Sequence, residues 1–100
     1  LAAGRLLGTA SVPDNPLSHF KDAQSYIEDG RFDQALEALD MALRLDPTYS
    51  RAYLLAGEIF AHIGDVDSAR AQLFKALALA ASRGDDDTEK RARQLLETIN

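Results

Sequence analysis

Cysteine and tryptophan are absent from this sequence of 100 residues, and only three prolines and six glycines interrupt it. Without cysteine the chain can form no disulfide, and it offers no thiolate nucleophile or cysteine-ligated zinc site. Reducing and oxidising compartments both tolerate such a chain, so the absence of cysteine does not locate the protein. The scarcity of proline and glycine favours long stretches of regular structure.

Positive charge is also in short supply. Eleven lysine and arginine residues stand against sixteen aspartate and glutamate residues, which gives a net charge of -5. A chain of this charge repels a phosphate backbone on average, so nucleic acid is excluded as an expected partner. No apolar run approaches the roughly 20 residues that span a bilayer, which predicts no direct membrane insertion.

The residues that are abundant favour helix. Hydrophobic residues make up 46% of the chain, and alanine and leucine dominate them. A chain of this length forms one small domain around one core. Asn15 and Pro16 form a helix cap and first-turn pair, and further helix ends are expected at Gly30, Pro47, Gly64 and Gly84.

Helical spacing of apolar residues between these breaks predicts five helices and no strand. They run from Leu17 to about Asp29, from just after Gly30 to Pro47, from Thr48 to about Ile63, from Val66 to Ser82, and after Asp85 to Asp87.

The last helix has one apolar face, formed by Ala92, Leu95, Leu96 and Ile99. We expect the acids before it to cap it, with Glu89 three residues after Asp86 in the spacing of a capping box. The mid-loop glycine and distal glutamate of a calcium-binding EF-hand loop are missing, so no metal site is expected there.

The sequence repeats itself at an interval of 34 residues. This shift aligns identical residues in two successive helix pairs: Gly30 with Gly64, Asp33 with Asp67, Ala35 with Ala69, Leu39 with Leu73, Ala42 with Ala76, Leu43 with Leu77, and Leu45 with Leu79. It also aligns similar residues: Phe20 with Leu54, Ala23 with Gly57, and Tyr26 with Phe60. With this period and these residues, the chain resembles the tetratricopeptide repeat family over about Pro16 to Ser82.

The resemblance implies an all-α fold, a right-handed α-solenoid of antiparallel helix pairs with about five helices. The expected divisions are a flexible or partner-dependent segment, two repeats and a C-terminal capping helix, at residues 1–15, 16–49, 50–83 and 84–100. Small residues are expected where helices cross closely, at Ala23, Ala35, Gly57 and Ala69.

The two repeats differ from the family's pattern in a few places. Ala81 stands where Pro47 ends the first repeat, which predicts a longer fourth helix. His19 stands where the family often has tryptophan, and Asp22 where it often has leucine. The first repeat is therefore expected to be looser at its outer edge.

The residues offer no catalytic constellation. Neither His19 nor His62 has an acid and a nucleophile at helical spacing, and no HExxH sequence is present. We therefore expect no enzymatic activity, no cofactor and no metal.

In the family that this chain resembles, the first helix of each repeat lines a concave groove. The corresponding residues are Leu17, Phe20, Gln24, Ile27, Arg51, Leu54, Glu58 and His62. Family members that grip the carboxylate of chaperone tails use lysine and asparagine where this chain has Phe20 and Gln24, and asparagine where it has Leu55. A chaperone tail is therefore a poor candidate ligand.

The resemblance implies a protein–protein interaction module that binds a peptide or partner protein of unknown identity in this groove. The alternative is a structural segment that associates with itself, either within a larger protein or as a homo-oligomer. Two repeats are fewer than the three or so that usually bury enough surface, so exposed end faces favour self-association.

The front of the chain, Leu1 to Val12, is apolar but too short for a stable isolated helix. We expect it to pack on the apolar floor of the groove, formed by Phe20, Ile27 and Leu54, or on the outer face of the first repeat, in its own or a neighbouring copy. If it packs on neither, the floor is free for a ligand. The segment resembles the end of a secretion signal only weakly, since no basic leading region is visible. We therefore favour the cytoplasm over the periplasm or the outside, and the sequence does not otherwise name the compartment.

Overall fold

The computed structural model describes residues 14–99, which form five α-helices and no strand. The helices are α1 (Pro16–Glu28), α2 (Phe32–Leu45), α3 (Ser50–Ile63), α4 (Val66–Arg83) and α5 (Asp86–Ile99). Consecutive helices pack against each other, and α3 also contacts α5. The all-α prediction is confirmed, whereas the prediction for Leu1 to Val12 lies outside the described residues.

The helix ends fall at the predicted breaks. Asn15 caps α1 by accepting a hydrogen bond from the Ser18 backbone N–H at 2.8 Å, and Pro16 occupies the first turn. Gly64 and Gly84 follow α3 and α4 in the left-handed conformation, with φ angles of 88° and 73°. A residue with a Cβ rarely adopts this conformation, so glycine allows each helix to end within one residue.

Small residues lie where the helices approach one another. Ala23, Ala35 and Ala69 have no exposed surface. Gly57 is buried against α4, where a Cβ built on it would lie 2.6 Å from Leu73 Cδ2. The predicted close crossing at Gly57 is therefore present, and it depends on the missing side chain.

The core follows the 34-residue period. Its largest fully buried side chains are Leu39 and Leu73, which that shift aligns. Phe20 and Ala23 of α1 share one apolar cluster with residues of α2 and α3. As Ala81 predicted, α4 is longer than α2, with 18 residues against 14.

Polar side chains join the α2–α3 loop to the end of α4. Asp46 accepts hydrogen bonds from Thr48, from its backbone N–H at 3.1 Å and from its hydroxyl at 2.8 Å. Arg83 donates to the same hydroxyl oxygen at 2.7 Å. Hydrogen bonds from the Thr48 side chain and then from its backbone lower the pKa of Asp46.

Asp85 forms a second link at this end of the molecule. Its carboxylate accepts hydrogen bonds from the Thr88 backbone N–H and from the Ser50 hydroxyl, each at 3.3 Å. Asp85 therefore caps α5. The predicted capping box of Asp86 and Glu89 is wrong by one residue, because the capping side chain is Asp85. The helix starts at Asp86 itself, so Asp85 is the residue whose side chain and backbone oxygens accept from Thr88 and Glu89.

The contact at Gly57 predicts that Gly57→Ala destabilises the fold. The substitution raises helix propensity by about 1 kcal/mol. Its methyl group, however, would overlap a fully buried leucine, and overpacking of this kind costs about 1–3 kcal/mol. The difference between the two effects is a net loss of up to about 2 kcal/mol in the free energy of unfolding, measured by urea denaturation. In a Leu73→Val background, which shortens the opposing side chain, Gly57→Ala should become neutral or stabilising. If Gly57→Ala lowers the free energy of unfolding equally in both backgrounds, the assigned contact is contradicted.

The cap at Asp85 predicts a dependence of stability on pH. Hydrogen bonds from Thr88, first of all from its side chain, lower the pKa of Asp85 against the opposing effect of burial. Because the folded pKa lies below the unfolded one, this stabilisation is complete above about pH 4 and is lost as the pH falls through the folded value.

The test is Asp85→Asn, which keeps a capping oxygen but removes the charge. At neutral pH this variant should unfold at a lower urea concentration than the wild type, and the difference should narrow below about pH 4. Asp86→Asn is the matched control, because Asp86 is an exposed neighbouring acid in the first turn of α5. Identical pH profiles for the two variants would show that the Asp85 cap carries no special stabilisation.

Candidate protein-binding groove

Two neighbouring depressions lie between α1 and α3. The larger one, of about 340 Å³, is lined by Ile27, Phe32, Leu55, Glu58, Ile59 and His62. The smaller one, of about 200 Å³, is lined by Phe20, Gln24, Arg51, Leu54, Leu55 and Glu58. Leu55 and Glu58 line both, so the two depressions form one continuous surface, which we call the α1–α3 groove.

The structure brings seven of the eight residues proposed from the sequence to this groove: Phe20, Gln24, Ile27, Arg51, Leu54, Glu58 and His62. Leu17 is half exposed and lines neither depression. Sequence reasoning did not include Phe32, Leu55 and Ile59 in the groove. The spacing of Leu55 and Ile59 along α3 could have suggested them, whereas Phe32 belongs to a second helix and was excluded by the assumption that only first helices contribute.

Phe20 lies deeper than the sequence suggested. Only 4% of it is exposed, and its ring centroid lies 5.3 Å from that of Tyr49. The Arg51 guanidinium covers the ring at 5.0 Å from the centroid, a cation–π contact. Phe20 therefore belongs mainly to the core, and the apolar surface of the smaller depression comes from Leu54 and Leu55.

The larger depression has an apolar floor and a polar rim. Ile59 is almost fully buried at its base, and Ile27 and Leu55 pack against the same core. The rings of Phe32 and His62 lie with their centroids 4.9 Å apart, tilted by 50°. His62 and Glu58 are the polar residues of the rim.

The capping helix reaches the groove through an ion pair. Arg91 Nε of α5 lies 3.5 Å from Glu58 Oε1, with both side chains partly exposed. Sequence reasoning assigned α5 only a capping role and did not find this contact. The pair places a cation beside the one carboxylate among the residues that line the two depressions.

His19 Nε2 lies 2.6 Å from Asp14 Oδ1 at the start of α1, outside the groove. Among residues 14–99, no three His, Cys, Asp or Glu side chains are grouped so that they could hold a metal ion. No helix in this range is both long and apolar enough to cross a membrane.

Stacked antiparallel helix pairs with an open groove along the first helices define an α-solenoid repeat protein. The chain belongs to the tetratricopeptide repeat family, because the model of that family matches residues 20–86. Tetratricopeptide repeats are generally protein–protein interaction modules and typically act as scaffolds without enzymatic activity.

Proteins with curated descriptions agree with this assignment. A TPR repeat-containing protein of Pseudomonas aeruginosa is 32% identical over 87 residues, which cover 87% of this chain and 83% of that protein. A tetratricopeptide repeat and J domain-containing co-chaperone of Fusarium oxysporum is 42% identical over 63 residues. That match covers 63% of this chain but only 12% of the co-chaperone.

Solved structures show the same fold. The solution structure of a Bordetella parapertussis protein is 37% identical with a TM-score of 0.80, and the match covers 96% of this chain and 84% of that one. The crystal structure of a tetratricopeptide repeat domain protein from Salinibacter ruber has a TM-score of 0.78 at 17% identity, and covers 84% of this chain and 93% of that one. The second likeness supports the fold alone.

Proposed function

We propose that the chain binds a segment of another protein in the α1–α3 groove, without catalysis. The observation that carries this proposal is the open depression of about 340 Å³ with an apolar floor. This volume lies at the lower end of the range for pockets that bind drug-sized ligands. It therefore suits one side chain of a bound peptide better than a large drug-like molecule.

The composition of the floor indicates how binding gains free energy. Leu55 and Phe32 are partly buried and pack on the core, so their positions are fixed before a ligand arrives. Covering their remaining apolar surface removes it from water at about 25 cal/mol per Å². Because the site is already formed, little ordering entropy opposes this gain.

The family assignment supports the same proposal at a coarser level. Tetratricopeptide repeat proteins bind protein partners, and one relative is described as a co-chaperone. The partner of this chain is proposed only by its chemistry, as a segment that presents a bulky apolar side chain.

The test uses random peptides displayed on phage, selected against the whole chain and then titrated as synthetic peptides. Leu55→Ala should weaken binding of an enriched peptide about tenfold or more, because it removes an apolar side chain that lines both depressions. Leu36→Ala is the matched control, since Leu36 is also a partly buried leucine packed on the same core cluster but lies on α2 away from the groove. Equal losses of affinity in the two variants would contradict the groove as the site.

Self-association is the second candidate function, favoured by large hydrophobic residues outside the groove. Met41, Leu45 and Phe74 are each about half exposed. If these exposed side chains join two copies, static light scattering at micromolar concentration should give a mass above that of one chain, and Phe74→Glu should lower it towards the monomer mass. A monomer mass for the wild type would contradict this candidate and leave the groove proposal untouched.

A further inference from the structure

Glu58 occupies a central place in the α1–α3 groove. It lines both depressions together with Leu55, and most of the other residues that line the larger depression are apolar. A carboxylate surrounded by apolar side chains is screened less by water than one on an open surface, so it discriminates more strongly between charges of opposite sign.

The ion pair of Glu58 leaves much of its binding capacity unused. Its oxygen lies 3.5 Å from Arg91 Nε, whereas charge-assisted hydrogen bonds of this type are normally about 2.7–2.9 Å long. The side chain of Arg91 is 52% exposed and that of Glu58 is 35% exposed. A carboxylate accepts about four hydrogen bonds, so Glu58 can bind a second cation or exchange Arg91 for one.

Two arginines lie near this carboxylate, Arg91 in the ion pair and Arg51 in the smaller depression. The guanidinium of Arg51 lies over the Phe20 ring, in the smaller depression, and Arg51 does not line the larger one. A ligand side chain seated on Phe32 and Leu55 therefore has Glu58 beside it and Arg51 further along. The net charge of -5 adds a long-range attraction for cationic segments.

From this arrangement we infer that the groove selects a segment in which a bulky apolar side chain is accompanied by a lysine or arginine, with the apolar side chain in the larger depression and the cation on Glu58. The inference rests on the proposed function and adds a charge requirement to it. The apolar depression alone accepts any bulky hydrophobic residue; Glu58 restricts the choice to basic segments.

The first experiment is the sequence composition of the peptides that the phage selection enriches. Peptides with a bulky apolar residue close to lysine or arginine support the inference. Enrichment of acidic or uncharged peptides whose binding still depends on Leu55 overturns it and leaves the proposed function standing. If no peptide is enriched, the proposed function fails and the inference fails with it.

The second experiment is a double-mutant cycle between Glu58 and the basic residue of an enriched peptide. Glu58→Gln should weaken binding about five- to tenfold, and lysine to glutamine in the peptide should do the same. Combining the two changes should cause little loss beyond either alone. Glu37→Gln, an equal change of net charge on an exposed part of α2, should leave the affinity unchanged. Additive losses in the cycle, or an equal loss with Glu37→Gln, would overturn the pairing of Glu58 with the ligand cation.

Discussion

The close approach of α3 and α4 at Gly57 is the constraint on which much of the fold depends. Leu73 fills the space that a side chain at position 57 would need, and both residues are buried. Close packing lets one leucine contact the backbone of the opposing helix, which a larger residue at 57 would prevent. Because the helices of this pair touch so closely, the position of α3 is fixed from behind, and its opposite side can remain open.

The groove is a consequence of that arrangement. On α3, Ala52 and Ala56 pack into the core, whereas Glu58 and His62 line the groove. Ile59 does both, since it is almost fully buried and forms the base of the larger depression. The same helix therefore supplies the core and the binding surface. Substitutions on the inner side of α3 are expected to change the groove as well, because both sides share one rigid backbone.

The sequence predicted the helices well because their signals are local or periodic. Glycine in a left-handed conformation and an asparagine cap act on their immediate neighbours, and the 34-residue shift exposes equivalent core positions such as Leu39 and Leu73.

The site was harder to predict, since it depends on which side chains meet across helices. The burial of Phe20 under Tyr49 and the reach of Arg91 to Glu58 are such cases. The cap of α5 was misplaced by one residue for a local reason, because Asp85, Asp86 and Asp87 are consecutive and any of them offers a capping carboxylate.

The two polar links at one end of α3 close the second helix pair. Thr48 and Ser50 flank the start of α3, and their partners Arg83 and Asp85 flank the turn between α4 and α5. Both contacts are hydrogen bonds between side chains, whose strength depends on distance and angle, so they hold the start of α3 in one direction relative to that turn. Arg51, one residue further along α3, lines the smaller depression of the groove. The position of this groove residue is therefore set in part by contacts from the far end of the repeat.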